Sequence, residues 1–193
     1  MKSFFKLTFV ELKLYLREPM ATFFTLAYAP MILFLFGFIY GNDPTPFFGG
    51  YGFIDIAVLS YIGLIIASVG LMSVPISTAE DREKGILRRF RTSPISPTTY
   101  LFANVLVYVI MTLFGVLLLF LVGRFVYKAS FEGNFFSVLG GLIISMLSFF
   151  SFGYLVASVA PTARTAQVIG MVLAFPMMFL SGAGIPLRCS LIE

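Results

Sequence analysis

TYLFANVLVYVIMTLFGVLLLFLV, residues 99–122, is a run of 24 residues without one charged side chain. It exceeds the roughly 18 apolar residues that mark a candidate membrane helix. The whole chain of 193 residues is 59% hydrophobic and 11% charged. Because a soluble domain carries about 25% charged residues, this composition indicates a protein embedded in a bilayer. Runs of this length cross a bilayer as helices, so we predict an all-α membrane protein.

Similar apolar stretches recur along the chain and together predict a polytopic bundle of five transmembrane helices. Three of these stretches contain a proline, which membrane helices tolerate as a kink because neighbouring helices satisfy the freed carbonyl groups. We assign residues 1–193 to a single transmembrane domain. The five predicted spans cover residues 22–40, 54–79, 99–122, 135–159 and 165–187.

Lysine and arginine are concentrated at one end of the predicted bundle. Of the 13 basic residues, ten fall in segments on the side of the N-terminus and three in segments on the other side. Basic loops face the cytoplasm under the positive-inside rule, so we expect a cytoplasmic N-terminus. This location also accounts for the net charge of +4, which is therefore no indication of nucleic-acid binding.

Residues 1–20 have the pattern of an amphipathic helix that lies at the membrane surface. At helical spacing, one face holds Lys2, Lys6, Lys13 and Arg17, and another holds Phe5, Phe9, Leu12 and Leu16. The bases of such a helix contact lipid phosphates, while its aromatic side chains enter the acyl region. The alternative is a charged cytoplasmic lead-in that does not bind the membrane.

Several function classes are disfavoured by residues that the chain lacks. It has no His and only one Cys, Cys189, so a histidine-based catalytic triad is excluded and a zinc, haem or disulfide site is not expected. No Asp, Glu, Lys, Arg or His lies in the middle of a predicted span, whereas ion-coupled carriers and proton pumps place such residues there. We therefore expect a protein that is not an enzyme.

Residues 80–98 form a predicted cytoplasmic loop, in which eight of the chain's 22 charged residues fall within twelve positions. Ser77 or Thr78 would cap a short helix that ends at the Ser-Pro step of residues 93–94. Its acids come first and its bases last, as the helix dipole favours. Such a helix binds either the inner leaflet or a groove on a soluble protein. Gly85 favours the groove, because a glycine within a helix indicates close backbone approach or a bend.

Few polar residues occur inside the predicted spans. In the fourth, Ser145 and Ser148 share a small, weakly polar face with Ser137 and Gly141. Such a face favours close packing between helices, and a substrate path is the alternative. Asn104 lies about one turn inside the cytoplasmic boundary of the third span, where we expect it to hydrogen-bond another helix more readily than to touch substrate.

Four motifs together resemble the permease subunits of type-2 ABC exporters. They are the opening helix followed by REP (17–19), the acidic stretch EDREKG (80–85), the step RTSPIS (91–96) and the ending FPMMFLSGAGIPL (175–187). Their order and spacing match the family over residues 1–187. The resemblance implies an integral protein of a bacterial cytoplasmic membrane, in which two permease subunits form the pathway and two ATPase subunits dock beneath them.

By this resemblance, residues 1–20 are a connecting helix and residues 80–98 contain the coupling helix that engages the ATPase. The implied coupling residues are Glu80, Asp81, Glu83, Gly85, Ile86, Arg88, Ser93 and Pro94. The chain has no G-x-x-x-x-G-K-[ST] phosphate loop, so it is expected to bind no cofactor itself, with ATP-Mg held by the partner subunit.

The implied function is outward transport of an amphiphilic, drug-like or lipid/polysaccharide-type substrate. The alternative is a membrane anchor or assembly protein that recruits a soluble partner without transport. Two features depart from the family. Asn104 stands where the family often has a basic residue, and the family continues into a sixth span, so we expect this chain to be C-terminally truncated.

Overall fold

The computed structural model describes residues 2–43, 52–86, 97–128 and 135–180, which are almost entirely helical. In chain order the elements are α1 (Lys2–Arg17), α2 (Pro19–Thr22), π1 (Phe23–Ala27), α3 (Tyr28–Tyr40), α4 (Phe53–Ser68), π2 (Val69–Ser73), α5 (Val74–Glu83), α6 (Pro97–Tyr127), α7 (Phe135–Val159) and α8 (Ala163–Leu180). The elements π1 and π2 are π-helical segments inside longer helices. No strand occurs in these ranges, and the predicted all-α fold class is confirmed.

Four helical stretches in the described residues are long and apolar enough to cross a membrane. We call them span 1 (Phe23–Tyr40), span 2 (Phe53–Glu83), span 3 (Thr98–Tyr127) and span 4 (Phe136–Val159). They correspond to the first four predicted spans, although span 2 continues beyond its predicted end at residue 79. The fifth prediction corresponds to α8, whose apolar part, Ala163–Met177, is shorter than the other four. Residues 181–187 of that prediction lie outside the described residues.

Both π-helical segments lie just before a proline. Pro30 follows π1, and Pro75 follows π2. In an α-helix a proline ring clashes with the carbonyl group four residues earlier, and those carbonyls, of Leu26 and Leu71, lie inside the π segments. A π turn is wider than an α turn and moves that carbonyl away from the ring. At these two prolines a π segment replaces the predicted kink, whereas Pro176 lies inside α8 without one.

The packed interior differs between the two ends of the bundle. We call the end at α1 and residues 80–86 the α1 end, and the end at residues 40–43 and 52–55 the far end. Toward the far end, α4 packs on α3 and α6. The buried side chains there include Ala29, Leu33, Ile54, Val58 and Leu119.

Toward the α1 end, α5 packs on α7 and α8 instead. Ala79, Ala160 and Ala166 are fully buried in this contact, and their small size allows the three helices to approach closely. A central cluster that includes Tyr108 and Phe150 joins these elements to α1 and span 3.

Neighbouring helices approach both π segments closely at glycines. A Cβ on Gly115 of α6 would lie 2.5 Å from the carbonyl oxygen of Thr25 in π1. Gly153 of α7 and Gly170 of α8 face carbonyl oxygens of π2 so closely that a Cβ on either would overlap them. These contacts therefore require glycine, because a backbone oxygen cannot rotate away as a side chain can.

An asparagine joins the elements of the far end. Asn42 Nδ2 donates to Asp55 Oδ1 at 3.4 Å and to the carbonyl oxygen of Tyr127 at 3.3 Å, while Asn42 Oδ1 accepts from Ile54 N at 3.1 Å. Tyr127 also donates to the Phe34 carbonyl oxygen at 2.9 Å. Spans 1, 2 and 3 are thereby held together at this end by hydrogen bonds as well as by packing.

Candidate coupling site

The helix of span 2 ends in a glycine turn at the α1 end. Gly85 N donates to the Arg82 carbonyl oxygen at 3.1 Å, and Gly85 has a φ of +70°, a left-handed conformation that glycine adopts without strain. The prediction that Ser77 or Thr78 starts a separate helix is wrong, because α5 runs through both residues. The acidic residues therefore form the last turn of span 2 and not the first turn of a loop helix.

Two of the predicted coupling acids are paired with side chains nearby. Glu80 forms a salt bridge of 2.6 Å with Lys84 at the surface. Asp81 is half-buried and accepts a hydrogen bond from the Tyr100 hydroxyl of α6. The helix dipole disfavours carboxylates at a C-terminus, and these partners offset that effect.

The end of span 2 is tied to the connection between α7 and α8. The Arg82 guanidinium donates to the Ala160 carbonyl oxygen, and Glu83 Oε1 accepts from Ala163 N at 3.1 Å. Because Ala163 is the first residue of α8, the carboxylate lies at a helix N-terminus, where a negative charge is favourable. The Thr162 hydroxyl caps the same helix by accepting from the amide three residues later at 3.1 Å.

Asn104 belongs to a polar network between helices. Asn104 Nδ2 donates to the Tyr100 hydroxyl at 3.3 Å, and the Tyr154 hydroxyl donates to Asn104 Oδ1 at 3.4 Å. Through Tyr100 the network reaches Asp81, so it joins α5, α6 and α7 just inside the α1 end. Neither tyrosine was predicted to belong to the site. Tyr100 lies one helical turn before Asn104, a spacing that could have indicated it, but no local spacing relates Tyr154 to a partner 50 positions away.

A cavity of about 430 Å³ lies between α1 and the end of span 2. Glu11 and Glu18 line it on the α1 side, and Glu80 and Asp81 line it on the α5 side. Burial, with a smaller contribution from the Asp81 charge, raises the pKa of Glu11 from 4.5 to about 7. Burial, followed by the Glu80 charge, also raises the pKa of Glu18. The charge of this cavity therefore depends on pH close to neutrality.

The remaining predicted coupling residues are only partly described. Ile86 is half-buried and lines the same cavity, and no atom would crowd a Cβ at Gly85, so strain at Gly85 would come from its φ alone. Arg88, Ser93 and Pro94 lie outside the described residues.

The helix α1 lies against α6 and has both buried and exposed faces. Tyr15 is buried and shares a hydrogen bond of 2.6 Å with Thr25 Oγ1, and Leu12 packs against the central cluster. The predicted apolar face is thus divided between the bundle and the surroundings. Lys2 lies in the helix, with its side chain outside the described residues. The exposed side chains include Lys6, Lys13, Arg17, Phe5 and Phe9.

A second cavity, of about 450 Å³, lies deeper between span 1, span 2, span 4 and α8. Its lining is aromatic, aliphatic and methionine-rich, with the Ser60 and Ser68 hydroxyls among it and no charged residue. Gly63 opens into this space, since a Cβ there would have no atom within 4 Å. Neither Ser145, which is half-buried, nor Ser148, which is exposed, belongs to the lining.

A sequence model of the family described as ABC-2 type transporter matches residues 2–188. No curated protein and no solved structure is similar enough to the chain to count as a match. The family match includes all four described segments, both cavities and the end of span 2. Members of this family supply the membrane-embedded, non-catalytic component of an ABC transporter. The chain belongs to the ABC-2 type transporter family, as a membrane permease subunit.

Proposed function

We propose that this permease subunit exports an amphiphilic substrate with energy from ATP that a separate ATPase subunit hydrolyses. The ATPase docks at the α1 end, on residues 80–98, with the N-terminus and this end in the cytoplasm. A second permease subunit, identical or related, completes the pathway in a bacterial cytoplasmic membrane. ATP-Mg is bound by the ATPase and not by this chain.

The observation that carries this proposal is the attachment of the end of span 2 to α8. Arg82, Glu83 and Lys84 are exposed at that end, where a soluble partner can reach them. Arg82 and Glu83 also bond to the α7–α8 connection. A force that an ATPase applies at the end of span 2 is therefore transmitted to both α7 and α8.

The deeper cavity supports the substrate class. An uncharged lining rich in aromatic side chains and methionine favours apolar ligand surface. The Ser60 and Ser68 hydroxyls donate to carbonyl oxygens of their own helix and can accept a hydrogen bond from a polar group. A free inorganic ion would lose its hydration there without a charged partner. An amphiphile of drug-like or lipid-like character can contact both the apolar surface and the serine hydroxyls of the lining.

The coupling assignment is tested with Glu83→Gln, which keeps the side-chain size and removes the charge beside Ala163 N. In proteoliposomes with the co-purified ATPase and a fluorescent amphiphile, we expect ATP hydrolysis to continue while transport falls. Asp43→Asn is the matched control, because it removes an exposed carboxylate charge at the far end, away from residues 80–98. Transport by Glu83→Gln at the rate of Asp43→Asn would refute the assignment.

The substrate site is tested by filling the deeper cavity with Gly63→Leu. We expect lower transport and an unfolding temperature that is unchanged or slightly raised, because the added side chain enters open space and leucine is a better helix former than glycine. Gly140→Leu, also in open space but away from the cavity, should transport normally. ATPase activity that no amphiphile stimulates would favour the alternative function of a membrane anchor or assembly protein.

A further inference from the structure

Span 2 is divided by π2 into two halves that pack on different helices. The half toward the far end, α4, lies mainly against α3 and α6, with smaller contacts to α7 and α8, and Val58 and Ile65 are buried there. The half toward the α1 end, α5, lies against α7 and α8, with Ala79 buried against Ala160. The division between the two packing groups therefore falls within one transmembrane helix.

The segment π2 has the features of a joint. Pro75 has no N–H, so the Leu71 carbonyl lacks the partner that it would have in an α-helix. The carbonyl oxygens of π2 face Gly153 and Gly170, where no side chain interlocks with them. A helix bends with least loss of hydrogen bonding where its regular pattern is already interrupted.

The helix α5 is held by close backbone packing on one side and mainly by side-chain contacts on the other. On one side its end is bonded to the α7–α8 connection through Arg82 and Glu83, and its backbone packs closely on both helices. On the other side, few of its backbone atoms approach span 3, and the contact includes side-chain hydrogen bonds between Ser77 and Tyr108 and between Asp81 and Tyr100. A hydrogen bond between side chains exchanges more readily than packed backbones separate.

We propose that π2 is a hinge at which α5, α7 and α8 move as one unit against a second unit made of α4, span 1 and span 3. The deeper cavity lies on the boundary between the units. Tyr28 and Leu59 line it from the second unit, and Phe149 and Met171 line it from the first. Displacement of residues 80–86 therefore bends span 2 and changes the width of this cavity.

The hinge is a property of the chain itself, and only the role of the cavity as substrate site rests on the proposed function. The test uses the full chain with Cys189→Ser, purified in lipid nanodiscs, without an ATPase. Pairs of spin labels replace Glu80 and Arg164 within the first unit, and Glu80 and Phe102 across the two units. All three positions are helical and at least partly exposed.

Pulsed electron paramagnetic resonance then gives the distance distribution for each pair. We expect a single narrow distribution for positions 80 and 164, and a broader or two-peaked one for positions 80 and 102. Equal widths of the two distance distributions, or a broader one for positions 80 and 164, would contradict the proposed hinge. Addition of the ATPase with a non-hydrolysable ATP analogue should shift the second distance alone. If the ATPase binds neither the labelled chain nor the unlabelled one, the exporter proposal fails while the comparison of widths still decides the hinge.

Deletion of Met72 together with Pro75→Ala provides a second test. A π turn holds one residue more than an α turn, and alanine removes the ring that clashes with the carbonyl four residues earlier, so the shortened segment can continue as an α-helix with the rest of α5 close to its present rotation. We expect the distribution for positions 80 and 102 to become as narrow as that for positions 80 and 164. A distribution that stays broad in the deletion variant contradicts a hinge at π2. If the variant does not fold, the comparison of widths in the unshortened chain is decisive.

Discussion

Gly153→Ala is expected to destabilise the protein, whereas Gly141→Ala in the same helix is not. A Cβ at position 153 would overlap the Gly70 carbonyl oxygen and lie 3.0 Å from Val74 Cβ. The carbonyl cannot rotate away, so α7 and π2 must separate, and overpacking of this kind costs about 1–3 kcal/mol. At Gly141 a Cβ meets no atom within 4 Å, and alanine exceeds glycine in helix propensity by about 1 kcal/mol.

The two variants are compared by thermal unfolding of the purified protein in detergent, followed by circular dichroism. For a chain of this size, 1 kcal/mol shifts the Tm by about 2–4 °C, so Gly153→Ala should lower it by about 2–12 °C. Gly141→Ala should leave the Tm unchanged or raise it by up to about 4 °C. A Gly153→Ala variant that unfolds at or above the wild-type temperature would refute the close approach of α7 to π2.

Three further variants test the polar contacts. Folding raises the pKa of Glu11 from 4.5 to about 7, so between these pH values the folded chain keeps a proton that the unfolded chain releases. The free energy of unfolding should therefore fall as the pH rises through this interval, and Glu11→Gln should remove this pH dependence. Tyr100→Phe leaves the half-buried Asp81 without its hydroxyl partner and should cost about 1–3 kcal/mol in denaturant unfolding. Asn42→Asp should destabilise the far end at neutral pH, because it places a second carboxylate beside Asp55.

Each of these expectations has an outcome that contradicts it. A pH profile that is the same with and without Glu11 would show that another group titrates in the interval. For Tyr100, the double variant with Asp81→Asn is the control, and strictly additive losses would mean that the two side chains do not interact. An Asn42→Asp variant as stable as Asn42→Ala would show that repulsion between the new carboxylate and Asp55 does not destabilise the far end.

The membrane class and four of the spans could be predicted from the sequence. In a bilayer each span must satisfy its own backbone, so long uncharged runs such as residues 99–122 become helices whatever their neighbours are. The four motifs and their order along the chain were likewise enough to identify the family. The prolines at positions 30 and 75 also marked the irregular places in the helices, although they predicted kinks and not π segments.

The contacts between the helices could not be predicted from the sequence. Gly141 and Gly153 occupy the same helix and look alike in the sequence, yet only Gly153 faces a backbone oxygen, because rotation and tilt of the helix decide which side meets π2. Ser148 lies on the exposed side of span 4 for the same reason, and the described part of α7 packs through Leu142, Met146 and Phe150.

In the charged segment, residues 80–91, the local charge pattern and the tertiary contacts determine different features. Its sorted charges suit a helix that starts at Ser77 or Thr78. Packing on α7 and α8 nevertheless extends span 2 through Glu83, and Lys84 and Tyr100 bind the acids at its end. The sequence by itself determined that charge is concentrated at one end of the second span. The partner of Glu83 lies 80 positions away at the start of α8, and only the approach of two helices brings that amide to the carboxylate.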